Sequence, residues 1–168
     1  RADAHRLRAE SDAIVVGAGT VRTDDPSLTV RDFHAAGEVP EAGVDPLRVV
    51  LGHVDPGARV QPARSCRGPL PDVLAELAAA GVLQVLVEGG ATVAGRFHDS
   101  GLVDEYVVYL APVIFGGDDA RPMFTGAGAA TLAEVWRGEF HSVLRLGPDV
   151  RLVLRPPGRS AKSANDVG

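Results

Sequence analysis

Ten residues, VLVEGGATVA at positions 85–94, hold the strongest structural signal in the chain. An apolar run ends in an acid, Glu88, and two glycines and several small residues follow it. This order is typical of a buried strand whose carboxyl end leads into a helix beside a ligand. Gly89 and Gly90 leave the backbone open to close approach. The helix start offers unpaired N–H groups and a positive dipole end, which suit a phosphate.

Glu88 has two interpretations at this position. At the tip of a buried strand, its carboxylate can accept a hydrogen bond from a neutral donor such as a ribose hydroxyl or an amine. A tight strand-to-helix turn with a solvated glutamate would give the same residues. Short glycine motifs arise often by chance, so the pattern alone leaves both interpretations open.

The composition is that of an ordinary globular domain. The chain has 168 residues, of which 45% are hydrophobic and 23% charged, and this is enough apolar material for one core. The net charge of −5 argues against a nucleic-acid binder, which normally shows a basic face. A single cysteine, Cys66, excludes an intrachain disulfide and predicts a reducing cytoplasm. No apolar run approaches the ~18 residues that a membrane span needs.

Strands and helices alternate along the chain through residue 110, which predicts an α/β fold with a largely parallel sheet. Two strands near the end predict an antiparallel hairpin at the sheet edge. Residues 32–46 and 53–72 are predicted loops, and residues 156–168 are a predicted disordered tail. The predicted helices are 3–10, 73–81 and 91–100, with a helix or loop at 131–136, and the predicted strands are 13–16, 47–51, 82–87, 106–115, 140–146 and 150–154.

Two further motifs lie after the first predicted strand. Gly17 and Gly19 form a G-x-G, but no third glycine follows at the spacing of a dinucleotide fingerprint. Thr20 can donate to a phosphate or cap a short helix. Asp24 begins a strong turn signal, DDP. The five histidines are scattered without ligand spacing, so we expect no metal site.

Three passages together resemble one family, the reductase domain of the bacterial riboflavin-biosynthesis deaminase/reductase, which is similar in fold to dihydrofolate reductase. Each passage alone is weak evidence for the family. Together, in this order and at this length, they are specific to it, and they cover about residues 3–120. They are LRAESDAIVVGAGTVRTDDPSLTVR at 7–31, VEGGATVA at 87–94, and the stretch from GLVDE to APVIFGG at 101–117.

The resemblance implies a three-layer α/β sandwich with helices on both faces of a mostly parallel sheet. It implies NADPH-dependent reduction of 5-amino-6-(5-phosphoribosylamino)uracil, in which hydride reaches C1′ and the ribosyl group becomes ribityl. It also implies a cytoplasmic enzyme that forms a homodimer, and the apolar strand at 106–115 is the surface that we expect to pair. Residues 1–155 would form the reductase domain.

The same resemblance places the site residues. The substrate positions are Arg8, Leu28, Arg31 and Glu88, and the cofactor positions are Thr20, Asp24, Gly89, Gly90, Ala91 and Thr92. The two arginines can clamp a phosphate in a bidentate manner. Asp24 and Glu88 are the candidate catalytic residues, and Asp24 either handles protons or only binds the cofactor.

The chain also departs from the family pattern. The strand that opens the family's domain is absent, and residues upstream of position 1 are expected to be missing. A central segment next to Cys66 and Arg67 is expected to be missing too, and the deaminase half has no counterpart. Two alternatives therefore remain: a reductase of a pterin or another small substrate, which does not need the Arg8 and Arg31 clamp, and a non-catalytic dimerising domain.

Overall fold

A computed structural model describes residues 2–30 and 45–158. By their internal contacts, these residues divide into two compact units. The first unit comprises Arg1–Ser100 together with Pro122–Gly126, and the second comprises Gly101–Arg121 together with Ala127–Gly168. Each unit has its own sheet. No helix in the described part of the chain is both long and apolar enough to cross a membrane.

The first unit alternates strands and helices. In chain order its elements are α1 (Ala2–Ala9), β1 (Ala13–Gly17), α2 (Ala18–Asp24), β2 (Leu47–Leu51), β3 (Arg64–Cys66), α3 (Leu70–Ala79), β4 (Val85–Val87) and α4 (Ala91–Asp99). The four strands lie in the order β3-β2-β1-β4, and all neighbours are parallel.

Strand β1 is the centre of this parallel sheet, and all five of its residues are buried. Its sequence is a continuous apolar run because a strand with both faces covered has no solvent side to alternate with. Ala13 is in register with Leu47 of β2 and with Val85 of β4. The core cluster beside the sheet includes Ile14 of β1 and Val50 of β2, each fully buried.

Asp12 fastens the start of β1 to the start of β4. Its carboxylate accepts the backbone N–H groups of Leu83 and Gln84, both at 2.8 Å. These two hydrogen bonds lower the pKa of the Asp12 carboxyl.

At the other end of the sheet, the N–H of Glu88 donates to the carbonyl of Val15 at 3.0 Å. Glu88 is therefore held at the carboxyl edge beside the central strand.

The second unit contains a three-stranded antiparallel sheet. Its strands are β5 (Tyr106–Leu110), β6 (Glu139–Leu146) and β7 (Asp149–Arg155), in the order β5-β7-β6. The hairpin of β6 and β7 turns at Gly147, whose φ of 65° is in the left-handed region that glycine tolerates. Tyr106 packs edge-on against Trp136, with ring centroids 4.7 Å apart.

The predicted α/β class, with parallel strands followed by antiparallel ones, is confirmed. Four details of the prediction are wrong. The hairpin predicted at the edge of the main sheet lies instead in a second sheet, together with β5. The strand predicted at 106–115 ends at Leu110 and pairs antiparallel with β7, so it is not part of the parallel sheet. The loop predicted at 53–72 contains β3 and the start of α3. The strand predicted from residue 82 begins at Val85, because Asp12 binds the N–H groups of the two preceding residues.

Smaller differences concern the ends of elements. Residues 131–136 form turns rather than a helix, which is one of the two forms expected there. The hairpin strands each begin one residue earlier than predicted. Most of the loop predicted at 32–46 and of the tail predicted at 156–168 lies outside the described residues.

Candidate active site

The predicted substrate residues Arg8 and Glu88 form an ion pair. They are 80 positions apart in sequence, and the sheet edge brings them together. The Nε of Arg8 donates to Oε1 of Glu88 at 2.8 Å, and Nη2 donates to Oε2 at 2.6 Å. The remaining nitrogen, Nη1, donates to the carbonyl of Thr29 at 3.2 Å. One guanidinium therefore joins helix α1, the tip of β4 and the segment after α2.

This pair is partly buried, with 19% of the Arg8 side chain and 25% of the Glu88 side chain exposed. The hydrogen bond from Arg8 to Glu88 raises the pKa of the guanidinium, against the opposing effect of burial. The bidentate geometry fixes both planes and orients the carboxylate. Arg8 therefore holds Glu88 in the structure, and its predicted contact with a substrate phosphate stays a prediction.

Thr20 and Gly90 are also brought together. The Gly90 N–H donates to the Thr20 hydroxyl oxygen at 3.3 Å, which joins the first turn of α2 to the start of α4. Gly90 is the residue that precedes α4 and has no side chain with which to cap it. Its φ of −65° suits any residue, and an added Cβ would meet only the Thr20 hydroxyl, at 3.5 Å. Because packing does not require glycine here, the bare backbone keeps the helix start accessible.

Gly89 has a different reason to be glycine. A Cβ on Gly89 would lie 2.5 Å from Cβ of Val93, which is closer than two carbon atoms can approach. A Cβ on Gly17 would lie 2.8 Å from Cγ2 of the same valine. Val93 is buried, so the two strand-end glycines let the first turn of α4 pack against the sheet edge. Gly89 therefore supports the site through packing.

A segment distant in sequence completes the start of α4. The N–H of Thr125 donates to the carbonyl of Ala91 at 3.1 Å, and the hydroxyl of Thr125 donates to that of Thr92 at 3.2 Å. A Cβ on Gly95 would lie 1.9 Å from the carbonyl oxygen of Thr125. Sequence reasoning missed Thr125, because nothing in the local pattern links it to a helix 33 residues earlier.

Asp24 is the last residue of α2 and is exposed. The next residue, Asp25, ends the helix in a left-handed conformation, with φ 38°. Its carboxylate accepts the backbone N–H of Arg59 at 2.8 Å, so Asp25 fixes the local turn. Asp24 remains the candidate for proton handling, a role that stays a prediction.

The structure describes one of the two remaining predicted substrate residues, Leu28, but not the other, Arg31. Leu28 is only 3% exposed and belongs to the core cluster with Val21 and Val60. Its side chain therefore faces the core, and its predicted substrate contact would have to come from the backbone, which has a φ of 51°. Arg31 lies outside the described residues.

The segment that leads to Arg31 is anchored by residues that the sequence did not single out. The N–H of Val30 donates to the Asp45 carboxylate at 3.0 Å. Arg48 binds the other oxygen of Asp45 and donates to the carbonyl of Gln61 at 3.1 Å. The described residues on both sides of the gap at 31–44 are thus joined to β2.

A parallel sheet whose carboxyl edge gathers a paired carboxylate, a threonine hydroxyl and a glycine-led helix start, followed by an antiparallel sheet, is an α/β fold of the dihydrofolate-reductase-like class. The family model described as the RibD C-terminal domain matches residues 1–152. The chain belongs to this family, and the predicted resemblance to the reductase domain of riboflavin biosynthesis is confirmed.

Individual relatives agree with this assignment. The chain is 40% identical to the riboflavin biosynthesis protein RibD of Mycobacterium tuberculosis, over 92% of this chain and 45% of that protein. It is 34% identical to the 2,5-diamino-6-ribosylamino-4(3H)-pyrimidinone 5′-phosphate reductase of Methanothermobacter thermautotrophicus, over 87% of this chain and 80% of that protein.

Solved structures show the same fold. RibD of Acinetobacter baumannii matches with a TM-score of 0.83 and 30% identity, over 93% of this chain and 50% of that chain. The Thermotoga maritima deaminase/reductase matches with a TM-score of 0.73 at 23% identity, which is evidence for the fold alone. The chain spans about half the length of the RibD proteins that it matches.

Proposed function

We propose that this chain is the NADPH-dependent reductase of riboflavin biosynthesis that converts the ribosyl group of 5-amino-6-(5-phosphoribosylamino)uracil into ribityl. The observation that carries the proposal is the joint position of two features at one sheet edge. The Arg8–Glu88 pair lies at the tip of β4, and the Thr20–Gly90 contact lies two residues further along the chain. An oriented carboxylate thus stands next to an accessible helix start.

The helix start fits the diphosphate of a nicotinamide dinucleotide. The amides at the start of α4 and the hydroxyls of Thr20 and Thr92 are donors suited to phosphate oxygens. Gly90 leaves them uncovered, since an added Cβ there would face the Thr20 hydroxyl. When bound, a reduced nicotinamide supplies the hydride, and the residues of this chain hold the reactants in position.

Glu88 has the role of orienting the substrate. Because Arg8 binds both of its oxygens, the carboxylate keeps one direction and can still accept hydrogen bonds from an amine or a hydroxyl of the substrate through its remaining lone pairs. Asp24, exposed at the end of α2, is the group that we assign to proton supply as the sugar ring opens. Arg31, and Leu28 through its backbone, complete the substrate contacts in this proposal.

A second phosphoribosyl compound should be compared with the uracil form as a substrate. The relative from Methanothermobacter thermautotrophicus is named for the 2,5-diamino pyrimidinone phosphate, and this chain covers 80% of its length. The two substrates differ at one position of the pyrimidine ring, where an amino group replaces an oxygen. A purified sample offered each compound with NADPH should oxidise NADPH with the uracil form at least tenfold more efficiently, in kcat/KM, which is a difference of about 1.4 kcal/mol.

Two glutamate substitutions test the role of Glu88 in this assay, one at Glu88 itself and one at a glutamate outside the site as the matched control. Glu88→Gln keeps the shape but removes the charge, and we expect a loss of about a hundredfold in kcat/KM. Glu76→Gln, which alters an exposed ion pair with Arg64, should leave the rate unchanged. Turnover of dihydropterin but not of either phosphoribosyl compound would favour a pterin reductase, and no binding of NADPH would favour a non-catalytic domain.

We also propose that the chain forms a homodimer and works in the cytoplasm. The apolar segment at 106–115 supports pairing, since three of its residues, Val113, Ile114 and Phe115, are 62%, 94% and 91% exposed. The single thiol, Cys66, is compatible with a reducing compartment. Residues 1–155 would be the reductase domain, with a family segment missing from this sequence next to Cys66. An intact mass of the natural protein well above 17.5 kDa would fit missing segments, and a mass near 17.5 kDa would count against them.

A further inference from the structure

The segment Pro122–Gly126 belongs to the first unit and lies along helix α4. Phe124 stacks on His98 near the end of that helix, with ring centroids 5.0 Å apart and 18° between the ring planes. Gly126 passes close to Asp99, because a Cβ on Gly126 would lie 2.8 Å from the Asp99 Oδ2. None of the predicted site residues lies in this segment, yet its contacts run along the whole helix.

Thr125 is the residue of this segment that reaches the first turn of α4. Its backbone N–H donates to the carbonyl of Ala91 at 3.1 Å, and its hydroxyl donates to the hydroxyl oxygen of Thr92 at 3.2 Å. Its carbonyl oxygen fills the space that a side chain at Gly95 would need. Because both the backbone and the side chain of Thr125 bind this turn, its hydroxyl has a defined direction toward Thr92.

The direction of the hydrogen bond between the two hydroxyls favours a phosphate ligand. Thr92 is the acceptor in this bond, so its hydroxyl keeps its own proton for another partner. Helix side chains tilt toward the N-terminus, so the side chain of Thr92 points toward the helix start, where the Gly90 N–H binds Thr20. Without the Thr125 hydroxyl, a helical threonine can turn its proton to a backbone carbonyl of the preceding turn instead.

We propose that Thr125 is a positioning residue for the dinucleotide, which holds the Thr92 hydroxyl so that its proton is donated to an oxygen of the diphosphate. This role rests on the proposed function, in which the start of α4 binds the diphosphate. Thr125 acts through Thr92 and does not itself touch the cofactor. A hydrogen bond to a charged phosphate is strong, and a donor that is oriented beforehand avoids the cost of ordering it on binding.

The test measures the dissociation constant of NADPH for the whole chain by nicotinamide fluorescence, and that of ADP by competition. Thr125→Val keeps the shape and the backbone N–H but removes the hydroxyl, and it should weaken both ligands about fivefold. Thr125→Ser restores the donor and should stay within twofold. The KM of the phosphoribosyl substrate should not change in either variant. Thr131→Val, at an exposed threonine of the second unit, is the matched control and should change nothing.

A double-mutant cycle separates this role from a loss of structure. Thr92→Val should weaken NADPH about tenfold. Adding Thr125→Val to it should cause no further loss, since Thr125 acts only through the Thr92 hydroxyl. The urea midpoint of Thr125→Val should match that of the unaltered chain, because the hydrogen bond is exposed.

The outcomes distinguish this role from the function on which it rests. If the unaltered chain binds and oxidises NADPH but Thr125→Val keeps full affinity, the role of Thr125 is overturned and the function stands. The same conclusion follows if the losses multiply in the double variant, or if Thr125→Ser is as weak as Thr125→Val. If the unaltered chain does not bind NADPH, the proposed function itself is overturned, and the role of Thr125 with it.

Discussion

Among the residues of the candidate site, Arg8 joins three separate segments of the chain through its side chain. Its three nitrogens bind Glu88 and the carbonyl of Thr29, so one side chain sets the direction of the carboxylate and holds the segment that leads to Arg31. Lysine carries the same charge but has no planar fork. The role that we propose for Arg8 therefore depends on geometry as well as on charge.

Arg8→Lys is expected to lower kcat/KM for the phosphoribosyl substrate by about tenfold, while the dissociation constant of NADPH stays the same. Steady-state kinetics and cofactor binding measure the two effects separately. Arg6→Lys is the matched control, since Arg6 lies on the same helix and pairs with Asp3 and Glu10. A loss of similar size in both variants would mean that helix α1 is merely destabilised.

Asp12 gives a prediction about pH. Its pKa is lowered in the folded protein by the N–H groups of Gln84 and Leu83, so the folded state binds fewer protons than the unfolded one between the two pKa values. The stabilisation is complete above the unfolded pKa of about 3.9 and is lost as the pH falls through the lower folded value. Urea unfolding should show that Asp12→Asn is less stable at pH 7, and that the difference shrinks below about pH 4.

Asp118→Asn serves as the control for this series, because Asp118 is exposed in a turn of the second unit. Its stability should follow that of the unaltered protein at each pH. If the gap between Asp12→Asn and the unaltered protein stays constant down to pH 2, the carboxylate does not stabilise the fold through its charge.

At the level of elements, helix α4 is fixed by close approaches on two sides. Val93 lies against the backbone of Gly17 and Gly89, and Thr125 lies against the backbone of Gly95. Each approach is possible only because the glycine has no Cβ. The helix start that we assign to the diphosphate is therefore positioned by packing as well as by the strand that precedes it.

Gly95→Ala should displace the segment 122–126 from α4, since the new Cβ would lie 1.9 Å from the Thr125 carbonyl oxygen. We expect a loss of about 1–3 kcal/mol in the free energy of unfolding, as in other overpacked sites. Urea denaturation measures it. Gly128→Ala is the matched control, because no atom lies within 4 Å of the added Cβ. Equal stability of the two variants would contradict the close packing of Thr125 on α4.

At the scale of the whole molecule, burial is uneven. Of the described hydrophobic residues of the second unit, Val153 alone is in the buried core, whereas the first unit has a full core around β1. Large apolar side chains such as Ile114 and Phe140 are 94% and 66% exposed. A three-stranded sheet with so little buried surface needs a further covering surface to be stable, which is why we propose a second copy of the chain.

Sedimentation of the purified chain at micromolar concentration should give about twice the 17.5 kDa of one chain. Ile114→Glu should shift the mass to that of a monomer, because it places a charge within the apolar segment. Leu83→Glu, at a leucine that is 93% exposed in the first unit, should remain dimeric. A monomeric unaltered protein would exclude the homodimer.

The sequence by itself determined the local elements and the class of protein. The apolar run of β1, the strand-acid-glycine-helix order at 85–94 and the amphipathic pattern of α3 depend on neighbouring residues, and the structure has them at nearly the predicted positions. Motif order was enough to identify the family. The positions of Glu88 and Gly90 at a sheet edge followed from the same local order.

Only the tertiary structure decided which distant residues meet. It paired Arg8 with Glu88, placed Thr125 on α4, buried Leu28 and turned β5 antiparallel to β7. The physical reason is that backbone sterics and hydrophobic periodicity act over a few residues, whereas these contacts join positions tens of residues apart. Their partners are selected by the packing of the whole chain, which no local pattern records.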